Sequence, residues 1–151
     1  MAAKKQILDL ALVEDDFFEG AALIGIASPL PPSRLCWTLN RAFDLQFSRE
    51  PEQDLCMSTP ARSDHSLEHY FPVFQYQSIQ EATSYTLYRL KTGQESLLPE
   101  LLQMDYMWML RTNTPEEDAD LYVRGLRQLA EVQMAQVIEA HQLTNGANLV
   151  M

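Results

Sequence analysis

The sequence predicts an α+β fold: a two-layer domain with a mixed, mainly antiparallel sheet and two helices packed on it. Three observations predict it. Residues 21–28 (AALIGIAS) form an almost unbroken apolar run, residues 70–77 and 83–90 are two β-rich segments separated by a short polar turn, and residues 34–43 and 114 onward carry helical spacing. At 151 residues the chain suits a single domain over 1–151, large enough to bury roughly 70% of the surface exposed by its unfolded form.

Taken in order, ILDLALV at 7–13 is the first strand candidate, and the acidic turn EDDFFEG joins it to the apolar strand at 21–28 in a hairpin-like pair. After PLPPSR, the segment RLCWTLNRAF places Leu35, Cys36, Leu39, Ala42 and Phe43 on one helical face. Residues 49–69 are polar and turn-rich, which predicts a surface loop with at most a short edge strand. YFPVFQYQ and TSYTLYRL then form a hairpin, with Pro72 at a strand start or sheet edge. LLPELLQ at 97–103 is a turn or short helix, and DYMWMLR at 105–111 is a central strand.

Thr114, Pro115 and Glu117 mark the clearest helix start, with threonine as cap, proline first in the helix and glutamate three residues after the cap. Ala119, Tyr122, Val123, Leu126 and Leu129 or Ala130 face inward from it. Periodicity alone would allow the helix to run on through VQMAQVIEA at 132–140.

Composition limits the function classes. Eleven basic residues against 21 acidic ones give a net charge of −10, with only three lysines. Such a field repels phosphate backbones and anionic lipid, so neither nucleic acid nor a membrane surface is an expected partner. The apolar runs are far shorter than the ~18 residues of a membrane span. Asp9, Glu14, Asp15 and Asp16 interrupt the N-terminal stretch, which does not read as a signal peptide, and a cytoplasmic location is expected. Cys36 and Cys56 are expected to be reduced, with Cys36 buried on the apolar face of its helix.

Three segments, LIGIASPLPPSRLCWTLNRAFDL at 23–45, LLPELLQMDYMWML at 97–110 and NLVM at 148–151, resemble the IPExxxVDY family, small proteins of unassigned role found mainly in Bacteroidetes. The naming motif falls on residues 129–137, where Glu131 matches, while Ala130, Ala135, Gln136 and Val137 replace its proline, valine, aspartate and tyrosine. A role resting on that aspartate or tyrosine does not carry over. The resemblance also implies that the chain leaves the helix near residue 130, because proline in that place would end it. A β-α-β unit follows, with strand 105–111, helix 115–130 and strand 132–138, its two strands parallel.

No catalytic constellation, cofactor motif or metal site is expected. In DHSLEH, Asp64, His65, Glu68 and His69 read as a solvated loop without the HExxH pattern. Glu14, Asp15, Asp16 and Glu19 read as a charged turn, lacking the alternating ligands of a calcium loop. The candidate site is instead a surface. Arg34, Trp37, Arg41 and Asp44 recur at helical intervals away from the Leu35 and Leu39 face, and Trp and Arg are the side chains most enriched at binding hot spots. The expected function is thus a non-enzymatic interaction or regulatory module whose partner is another protein or a second copy. The alternative is a small-molecule-binding protein or enzyme with a pocket assembled from Tyr70, Tyr76, Tyr85, Tyr88 and the histidines.

Overall fold

Apolar side chains on both faces of the central strands require a cover on each side, and that requirement sets the architecture. The computed structural model describes residues 16–60 and 66–151. Its strands are β1 (Ala21–Ala27), β2 (Ser48–Arg49), β3 (Leu55–Pro60), β4 (Ser66–Phe71), β5 (Val73–Ser78), β6 (Thr83–Arg89), β7 (Lys91–Thr92), β8 (Glu95–Ser96), β9 (Tyr106–Arg111) and β10 (Met134–Ile138). Its helices are α1 (Pro32–Phe43) and α2 (Pro115–Leu126), and a helical turn covers residues 16–18. The predicted strand at 7–13 lies outside the described residues.

Six strands form the main sheet in the order β10-β1-β9-β6-β5-β2. β1 and β9, the two strands with buried residues on both faces along nearly their whole length, take interior positions and pair directly, with Ile24 opposite Trp108. The β5–β6 hairpin forms as expected, Pro72 standing just before β5 where no ladder N–H is needed. The β-α-β unit is present in split form. β9 and β10 both run antiparallel to β1, which lies between them, so they are parallel to each other without pairing. The expected mixed sheet is corrected accordingly, since every pairing among the described residues is antiparallel. Doubly apolar β1 fills the interior slot that a simple crossover would have left to a β9–β10 pair.

Both helices lie on one face of the sheet. There Leu35, Cys36 and Leu39 of α1 and Ala119, Val123 and Leu126 of α2 bury Ile24, Ile26, Trp108 and Leu110. The helices approach closely where Gly125 faces Phe43, since a Cβ at Gly125 would stand 2.5 Å from the Phe43 ring. The expected two layers are corrected to more than two, because the sheet is covered on both faces. The opposite face, with Leu23, Tyr88, Met107 and Met109, is also buried, under Phe71, Leu97, Leu98, Met104, Leu143 and Leu149 from short or irregular segments.

Two further expectations change. Residues 49–69 contain most of a β3–β4 hairpin in addition to a 3-10 turn at Pro51–Gln53. Its composition is polar because one side of it faces solvent, while Leu55 and Met57 on alternate positions meet the core. Helix α2 ends at Leu126 instead of 130; Gln128, Leu129 and Val132 then donate backbone hydrogen bonds three residues back, and Gln133 N–H joins the ladder at Ala27 C=O, 2.8 Å away. Residues 134–138 are therefore strand, as the resemblance implied and periodicity alone did not.

Candidate functional site

The sequence of α1 divides its surface in two. Leu35, Cys36 and Leu39 are buried against the sheet, whereas Arg34, Trp37 and Arg41 lie exposed on the opposite side, continued by exposed Asp44 at the C-cap. Trp37 is 57% exposed, and the Arg41 guanidinium sits 5.3 Å from the centre of its ring. One turn of helix separates the two residues, so the cation stacks on the indole without distorting the backbone. Neither Arg34 nor Arg41 forms an ion pair with an acid among the described residues.

The end of α1 is held firmly. Asp44 adopts φ 54, ψ 49, the left-handed conformation that terminates a helix, and its N–H donates to Asn40 C=O. The Asn40 side chain then binds both backbone groups of Phe47, accepting from its N–H at 2.8 Å and donating to its carbonyl at 3.0 Å. Phe47 C=O also accepts from the Cys36 thiol at 3.4 Å. Burial pushes that thiol up to about 11, against the opposing effect of the Asn40 contact, so Cys36 stays protonated at neutral pH and is a packing residue.

A second polar assembly joins the ends of β1 and β9. Asp105 accepts from Ser28 N–H at 2.8 Å and from Lys91 Nζ at 3.1 Å, and the Ser28 hydroxyl donates to Glu131 C=O at 2.7 Å. Nearby, Tyr106 donates to Leu30 C=O at 2.5 Å with the Arg89 guanidinium 4.8 Å from its ring centre. Burial raises the Tyr106 hydroxyl to about 12. The three segments SPLP, MDY and AEV, separated by 77 and 103 residues for the Ser28 contacts, are thus fastened together. No spacing rule links residues so distant; what the sequence offered was a serine at the end of an apolar strand, followed by proline.

Beside β10 and the start of α2 lies a cleft of about 640 Å³, lined by Asp16, Glu19, Glu116, Asp120, Glu139 and His141 among others. Of these, only Asp16 and Glu19 belonged to a predicted acidic cluster; Glu14 and Asp15 lie outside the described residues. None of the four tyrosines of the alternative reading lines it. Tyr76 and Tyr85 join the helix-covered core, with Tyr85 and Tyr122 hydroxyls 3.0 Å apart, while Tyr88 is buried on the other face and donates to Leu149 C=O at 3.0 Å. Tyr70 is 56% exposed on β4, its hydroxyl donating to Glu68. The tyrosine part of that pocket is corrected on that ground, since strand alternation sends these rings to different faces, whereas His141 of the same reading does line the cleft.

His69 lies on β4, and Asp64 and His65 lie outside the described residues. Among the described residues no group of three or more His, Cys, Asp or Glu side chains is placed to hold a metal ion, and no helix is long and apolar enough to cross a membrane. Compared with protein-family models and with curated proteins, the chain gives no match.

Proposed function

We propose that the protein is a non-enzymatic interaction module of the cytoplasm, related to the IPExxxVDY family, that binds another protein surface through the outer face of α1. The observation that carries this reading is Trp37. An indole 57% exposed and stacked under Arg41 costs hydration without contributing to the core, and such a Trp–Arg pair is the side-chain chemistry of binding hot spots. Arg34 and Arg41 add positive charge in a chain of net charge −10, favouring a partner surface that presents carboxylates. Both cysteines are free thiols, in keeping with a reducing compartment.

The experiment first separates binding from folding. Trp37→Ala should lower stability by less than ~1.5 kcal/mol in chemical denaturation, as expected for an exposed side chain. A photocrosslinking amino acid at position 37 should then form protein adducts in a lysate of the source cells, and Arg34→Glu with Arg41→Glu should abolish them. Adducts no more abundant than those from the equally exposed control position Leu121 would refute the reading. The alternative, small-molecule binding, is left with the acidic cleft beside β10, whose carboxylates would attract a cationic ligand.

A further inference from the structure

Resting on the assignment of the α1 outer face as an interaction surface, the spacing of its four side chains identifies the occupant. Arg34 and Asp44 stand five residues on either side of Leu39, and Trp37 and Arg41 stand two residues on either side of it. A stripe with that symmetry is complementary to itself when reversed. We propose that two copies of this chain associate through antiparallel α1 helices about a two-fold axis opposite Leu39, placing Arg34 of each against Asp44 of the other and Trp37 of each against the other's Arg41.

Each contact follows from the geometry of α1. The stripe lies on the side of α1 opposite its buried residues Leu35, Cys36 and Leu39, so two molecules can approach along it without disturbing either core. In a two-fold interface, if one residue meets a second across the axis, the second meets the first, and every contact occurs twice. The reversed arrangement therefore makes two Arg34–Asp44 ion pairs and two Trp37–Arg41 stacks, with Arg41 of the same copy already holding each indole flat. Parallel helices would instead set arginine against arginine. Charge thus selects the antiparallel orientation.

Charge also limits the strength. Each copy carries −10, so the molecules repel one another at long range. Residues 30–43 are a local exception, containing Arg34 and Arg41 and no acid. A helix of 12 residues is about 18 Å long, and one helix pair of that length buries less than the ~1,600 Å² of a standard interface. The dimer is accordingly weak and reversible.

Sedimentation velocity over a concentration series tests the proposal with the full chain. Wild type should shift toward dimer as concentration rises. Arg34→Asp alone and Asp44→Arg alone should each weaken self-association at least ~tenfold, because like charges then meet across the axis. Mixing the two variants should restore a heterodimer, since one copy now supplies both acids and the other both arginines at the paired positions. Arginine at the left-handed Asp44 position strains the cap, so near-ultraviolet circular dichroism must show a native fold, and Asp44→Asn, which suits that backbone, provides a second variant expected to weaken the dimer. A wild type that stays monomeric throughout, or a mixture no more associated than its separate variants, overturns the dimer. The crosslink from position 37 distinguishes the outcomes: adducts solely to a different protein would refute self-association while leaving the interaction surface standing, and no adducts above control would remove both.

Discussion

One face of the six-stranded sheet lies under two amphipathic helices, whereas the other lies under strand ends, 3-10 turns and the C-terminal segment. The two covers bury their sheet residues to a similar degree: Trp108 and Leu110 are fully inaccessible on the first face, as are Tyr88 and Met107 on the second. They differ in how they are held. The helices satisfy their backbone polar groups internally and need only an apolar stripe to dock. The irregular cover must satisfy its groups one at a time, through Asn148 donating to Leu97 C=O at 2.9 Å, Tyr88 donating to Leu149 C=O, and Glu100 accepting two bonds from Asn145. Helices supply cover from local periodicity, and the tail supplies it from long-range hydrogen bonds.

The largest effects should come from removing a large side chain from each face. Trp108 makes ring contacts with Phe47, Tyr85 and Tyr122 at centroid separations of 5.6, 5.5 and 4.5 Å. Trp108→Ala should therefore cost about 3–5 kcal/mol in chemical denaturation. Leu149, fully buried near the chain's last residue, should cost about 2–5 kcal/mol when changed to alanine if the tail is part of the cooperative core. A loss below about 1 kcal/mol at Leu149 would show that the tail docks independently on an otherwise stable sheet. Hydrogen exchange would then find the second face opening before the first.

That difference also explains what was legible in the sequence. Helices α1 and α2, the β5–β6 hairpin and central strands β1 and β9 follow from local periodicity and turn residues, and so does the exposed stripe from Arg34 to Asp44. Strand β10 was ambiguous because MAQVI suits either period; its pairing with β1 decided the matter. Nothing local marked Asn145, Asn148 and Leu149 as the cover for Tyr88 and Leu97. Nor could spacing bring Ser28, Asp105 and Glu131 together, or assemble the acidic cleft from the ends of α2 and β10.

Acidification should act more selectively on the second face. Burial alone would raise the Glu100 carboxyl, but bonds from the Asn145 side chain and backbone prevail and hold it below its ordinary value of 4.5. A lowered folded-state value means that this stabilisation is complete above the unfolded value and is lost as pH falls through the folded one. Wild type should accordingly lose tail protection in hydrogen exchange only below about 4.5. Glu100→Gln should cost about 1 kcal/mol at neutral pH and lack this part of the acid response. Retention of the full acid response by the glutamine variant would place its origin in other carboxylates.

The smallest effect concerns the start of α2, where the sequence predicted a capping box at Thr114 and Glu117. Thr114 does precede the helix, but its side chain makes no cap hydrogen bond to the backbone. Its hydroxyl donates to Asp118 at 3.3 Å, while Thr112 donates to the same carboxylate oxygen at 2.6 Å and accepts from Thr114 N–H at 3.1 Å. Thr112 therefore links the strand β9 exit to the first turn of the helix, and Thr114 only duplicates its bond to Asp118 at a longer distance. Thr114→Ala should cost less than about 0.5 kcal/mol, as exposed substitutions usually do. Thr112→Val removes both bonds and leaves Asp118 with the weaker donor, so it should cost about 1 kcal/mol or more. If the two variants rank the other way in urea denaturation, Thr114 caps the helix in solution as its sequence pattern predicts, and the helix-covered face owes that much more to local signals than these contacts indicate.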